Sequence, residues 1–153
     1  MTKLFSFIFF LTVLFSLPAS AQTDPLNIES FEKITQMITK EAAQEAIKLA
    51  LANIIAAQCN DGKSCSAATK EEYDNPPISE SSARAAMAYG VYGALARWCD
   101  LNSNRAFIPM FRTARDQAKM NPRQLYLMSF IYGDFMRRQF DFLQSEGLVS
   151  ADI

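Results

Sequence analysis

With 15 Lys and Arg against 16 Asp and Glu in 153 residues, the chain carries a net charge of −1, too balanced to argue for nucleic acid or an anionic membrane as partner. It contains no histidine. That excludes Ser-His-Asp and Cys-His catalysis, His-containing metal sites and the usual side chain for a switch near neutral pH.

The first residues have the parts of a secretory signal peptide: Lys3, the apolar run Leu4–Leu17, the helix-breaking Pro18 and the small residues Ala19-Ser20-Ala21. Cleavage is expected before Gln22, so that 1–21 is a leader and 22–153 a single helical domain, periplasmic or secreted. The alternative, an uncleaved membrane anchor, is disfavoured by the short apolar run and its A-x-A end. No cysteine follows the run where a lipid anchor would attach. A domain of this size holds one hydrophobic core without a metal.

Asp24-Pro25 leads into a first long helix, expected over about Ile28 to Gln58. Phe31, Ile34, Ile38, Ala42 and Leu49 fall on one stripe, with Glu41 and Glu45 at its edge and within it. Ile47, Leu51, Ile54 and Ile55 build a second apolar face roughly opposite, so the apolar side changes near residue 45. Two carboxylates four residues apart have the spacing for a cation or for acid–base work, but a surface pair is the ordinary reading.

Residues 59–79 form a long irregular loop, with turn chemistry at Asn60-Asp61-Gly62 and Asn75-Pro76-Pro77. Thr69 and Glu72 have capping-box spacing and predict one helical turn. Asn60-Asp61-Gly62 lacks the alternating acidic ligands and terminal Glu of a calcium loop. A connection this long can span a helix, which leaves a parallel crossover open beside an antiparallel return. Cys59 and Cys65 bracket a tight turn and are expected to pair in an oxidising compartment; a bond from either to Cys99 is the alternative. If Cys99 stays free, its place after Trp98 on an apolar helix predicts a buried thiol.

Ser81–Cys99 organises the rest, because it carries no charge from Ala85 to Ala96. Twelve apolar residues span about 18 Å as a helix, short of the ~30 Å of a bilayer core, which predicts burial in protein. Ala86, Gly90 and Ala94 share one face, and a glycine inside a helix implies a close packing partner there. A third helix follows, with Phe107, Met110, Phe111, Ala114 and Ala118 on one side and Arg112, Arg115, Asp116 and Lys119 on the other. Pro109 belongs in its first turns or at a kink.

Asn121-Pro122-Arg123-Gln124 starts a fourth helix, which Gly147 should stop just beyond Ser145. Leu125, Met128, Ile131, Tyr132, Phe135, Met136, Phe142 and Leu143 make its core face, while Asp134–Arg138 and Arg137–Asp141 suit a solvated side. Tyr126, Phe130, Arg137 and Phe140 fall outside the core stripe and are the candidate interaction surface. The alternative is that loop 59–79 or the chain ends cover this strip.

The expected architecture is all-α, a single-domain bundle of about four main helices with a long loop between the first and second. No motif names a reaction. The expected function is that of a non-catalytic cell-envelope protein acting through protein–protein interaction, as a homodimer or a small subunit of a periplasmic assembly. The alternative is a carrier of a small apolar ligand or lipid held between helices. Hydrolysis by Glu41 and Glu45 has little behind it. No cofactor, metal or nucleic acid is expected, and no stable membrane span remains once the leader is removed.

Overall fold

The structure, a computed structural model, describes residues 28–59 and 62–146. The signal peptide, the Gln22 cleavage site, Asp24-Pro25, Asn60-Asp61 and the Gly147 stop lie outside the described residues.

Polar caps decide where the helices begin. Helix α1 spans Ile28–Met37, and α2, Lys40–Ala52, starts where the Thr39 hydroxyl accepts the Ala42 N–H. Thr69 and Glu72 complete the expected capping box of the short α3, Lys70–Asp74. Ser79 caps α4, Glu80–Trp98, through the Ser82 N–H. Helix α5 covers Asn104–Arg112 and passes into a π-helical turn, Thr113–Gln117. Asn121 and Gln124 form a second capping box ahead of Pro122 and α6, Pro122–Ser145. The protein is all-α, and no strand occurs among the described residues.

The expected first helix is two helices. Thr39 takes an extended backbone (φ −71°, ψ 159°) and turns its hydroxyl to capping, which breaks the helix after Met37. The change of apolar side is thereby explained: Ile34 and Ile38 are the buried face of one rod, and Ala43, Ile47, Ala50 and Leu51 that of another. Glu41 and Glu45 are both exposed, and Ile55 points outward.

Helix α4 is enclosed on all sides from Ala86 to Ala94 save for Tyr89, and its closest neighbour is α6. These two helices run parallel. Gln124 of α6 donates to the Pro77 carbonyl before one end of α4, Gly90 faces Tyr132 and Met136 midway, and Trp98 meets Phe140 at the other end. Helix α5 carries the chain back between them, held where the Tyr132 hydroxyl donates to the Ser103 carbonyl (3.1 Å) and the Phe107 ring lies 5.2 Å from that of Tyr132. Helix α2 is antiparallel to α6, with the Tyr126 hydroxyl bonded to the Asn53 carbonyl and Ala42 facing Phe142.

It follows that α4 returns antiparallel to α2, and the long loop is no crossover. Instead the loop folds over one end of the bundle, where Cys65 and Ile78 are buried. Arg123 of α6 fastens it by donating to both Glu72 carboxylate oxygens (2.7 Å each) and to the Ser66 carbonyl (2.9 Å). The guanidinium holds the Glu72 carboxyl below its ordinary 4.5, against the opposing effect of desolvation. A depressed carboxylate pKa contributes stability that is full above the unfolded value and lost as pH falls through the folded one. Urea midpoints should therefore decline below the ordinary Glu value, and Glu72→Gln should flatten that acid limb; an unchanged limb would mean that this pair does not fasten the loop.

Cys99 departs from expectation. All-round burial ends at Ala94, and the last turn of α4 runs out to solvent, where Cys99 is the exposed C-cap residue. Asp100 ends the helix without glycine by adopting a left-handed conformation (φ 55°), and the Leu101 N–H donates to the Ala96 carbonyl. Cys99 should be alkylated rapidly in the native protein; labelling only after unfolding would place it in the core.

Candidate functional site

A groove opens where α2 and α6 diverge above α4. From α2 come Ala42, Glu45, Ala46 and Leu49, one helical face in which two small side chains leave room. From α6 come Asp134, Phe135, Arg138, Gln139 and Phe142, and Met87 of α4 contributes to the floor. The volume is about 530 Å³.

Its lining is chemically mixed. Leu49, Met87, Phe135 and Phe142 supply apolar surface, while Glu45, Asp134, Arg138 and Gln139 supply charge and hydrogen bonding. Asp134 is only 16% exposed and accepts from Arg138 Nε (2.7 Å) and Arg137 Nη2 (2.8 Å). The Asp134–Arg138 pair, expected on a solvated side, forms with its guanidinium 59% exposed and its carboxylate recessed. Of the two carboxylates expected together, Glu45 lines the groove and Glu41 does not. No group of three metal-ligating side chains occurs among the described residues. The arrangement can receive apolar side chains and select them by the charges beside them.

The candidate interaction surface is not one open band. Tyr126 and Phe130 are half-buried against the core, their rings 6.0 Å apart. Phe140 is covered from the α4 side by Trp98, whose ring lies 6.1 Å away, and by the Arg97 guanidinium at 4.3 Å. Arg137 alone is well exposed, and it is engaged with Asp134. Helix α6 packs against α4 on one side and α2 on another, so its buried face is wider than a single stripe.

Cys59 and Cys65 lie at disulfide distance, with Cα atoms 5.0 Å apart, as their spacing predicts. Their backbones close the turn, the Cys59 N–H donating to the Lys63 carbonyl and the Cys65 N–H to the Ala57 carbonyl. A second cavity of about 500 Å³ lies beside them, reaching Lys63 and Arg123. That cavity lacks the large aliphatic and aromatic side chains that line the groove between α2 and α6, which makes the groove the better candidate.

The groove residues escaped the sequence reading because they come from three helices. The signal available was Ala42 and Ala46 four apart with Leu49 beyond, small residues on a face that also carries a carboxylate. Comparison of the chain with protein families, curated proteins and solved structures found no match.

Proposed function

We propose that this chain is an exported, non-catalytic helical protein of the cell envelope that acts by binding another protein through the groove between α2 and α6. The observation that carries this reading is the groove's make-up, with aromatic and aliphatic surface set beside the charged side chains of Glu45, Asp134 and Arg138. That pattern suits an amphipathic segment laid along two helices. The Cys59–Cys65 pair is compatible with an oxidising compartment, and no helix among the described residues is long and apolar enough to cross a membrane.

The groove's volume also favours a second reading, since about 530 Å³ lies within the ~300–1,000 Å³ of small-molecule sites. One variant separates the two. Ala46→Trp fills the groove from a half-buried position and should abolish recovery of the cross-linked partner from intact envelopes while leaving the circular dichroism spectrum unchanged. Unaltered cross-linking would overturn the reading, and detergent-free extraction of a lipid from the parent chain, lost in the variant, would favour the carrier. Mature protein purified from the same envelopes should begin at or near Gln22.

A further inference from the structure

The whole-chain charge balance hides a local segregation. From Asp100 to Lys119 there are four cations, Arg105, Arg112, Arg115 and Lys119, and two carboxylates, Asp100 and Asp116. Along α5, Ala106 and Met110 face the core together with Ala114 of the π turn, which turns Arg105, Ile108 and Arg112 outward at helical spacing. The π turn adds Arg115, and Lys119 follows it; both are exposed.

Among the described residues Asp116 makes a salt bridge with Arg115, and none forms with Arg105, Arg112 or Lys119. Among these cations Ile108 faces water at 45% exposure, and ahead of the helix, next to Asp100, Leu101 does so at 48%. Neither groove nor loop cavity is lined by this helix.

We infer that the outer face of α5 and its π turn docks the protein on an anionic lipid bilayer, with Arg105, Arg112 and Lys119 among the phosphates and Ile108 and Leu101 dipping into the headgroup boundary. Charge complementarity selects this occupant. Cations flanking apolar side chains on a helix that lies flat match a surface whose charge is diffuse and whose interior is apolar. An acidic protein would satisfy the cations but has no general use for the aliphatic tip of Ile108 between them. The docking is peripheral, since no helix among the described residues is long and apolar enough to span. It leaves the groove free and is independent of what fills it.

The test is sedimentation of the full mature chain with vesicles of phosphatidylcholine containing about 30 mol% phosphatidylglycerol, against phosphatidylcholine alone. Binding is expected only to the anionic vesicles, and it should be released between about 0.05 and 0.5 M NaCl as screening shortens the reach of the charges. Each cation contributes roughly fivefold, so Arg105→Glu with Arg112→Glu should weaken binding by at least ~25-fold. Ile108→Ser, a milder change at an exposed position, should weaken it severalfold and keeps the test decisive if the double variant misfolds. Absence of binding at low salt, equal binding to neutral vesicles, or indifference to both variants would overturn the inference. So would equally tight capture of soluble polyglutamate that Ile108→Ser leaves unchanged, which would identify an acidic protein as the occupant.

Discussion

Gly90→Leu should destabilise the fold by about 3 kcal/mol or more, a large part of the stability of a domain this size. At Gly90 even a single added carbon would lie 3.0 Å from the Tyr132 carbonyl oxygen, 3.1 Å from the Met136 amide nitrogen and 3.2 Å from the Phe135 Cβ. Those are backbone atoms and a Cβ of α6, which cannot swing aside as a side-chain tip can. A leucine would have to push α6 off α4. Gly133, on α6 itself, is the control: nothing lies within 4 Å of the Cβ it lacks. Gly133→Ala should therefore raise stability by up to about 1 kcal/mol through helix propensity alone. Urea denaturation measures both, and an unchanged midpoint for Gly90→Leu would mean that the two helices do not touch there.

The second large effect concerns the aromatic side chains of α6. Tyr126→Ala together with Phe130→Ala should lower stability by about 3 kcal/mol, half or less of what two fully buried aromatic truncations cost, because both rings are half-buried. The Tyr126 hydroxyl also satisfies the Asn53 carbonyl at the end of α2, and that bond is lost. Arg137→Ala, at a side chain 67% exposed, should change stability by no more than about 0.5 kcal/mol. A thermal melt comparing these variants decides whether the strip belongs to the core. If the aromatic pair is silent, the interaction surface lies where the sequence placed it.

Features carried by neighbouring residues were readable in advance. The capping boxes at Thr69–Glu72 and Asn121–Gln124, the Cys59–Cys65 turn and the uncharged run of α4 are each complete within a few residues, and each appears where expected. Features that need a second element were not. The break at Thr39 has no glycine or proline to announce it, and only the packing of two separate faces makes a cap preferable to a continuous helix there. The direction of α4 depends on Arg123 and Gln124 holding the loop at one end of the bundle. Cys99 looks buried beside Trp98, but all-round burial ends one turn earlier, and the C-cap residue faces solvent while Trp98 turns to Phe140. The groove exists only because Ala42 and Ala46 stand opposite Phe135 and Phe142, residues nearly a hundred positions away in the chain.

The central claim is that the groove between α2 and α6 receives a protein. Its most direct test is a photo-reactive benzoylphenylalanine replacing Leu49 in the full chain, irradiated in intact envelopes, with the same group at exposed Gln36 on α1 as the control. Leu49 should yield one discrete cross-linked protein, or a cross-linked dimer of this chain, which disappears when Ala46→Trp fills the groove and which Gln36 does not yield. Identical products from both positions, or products at Leu49 that persist after the groove is filled, would contradict the claim.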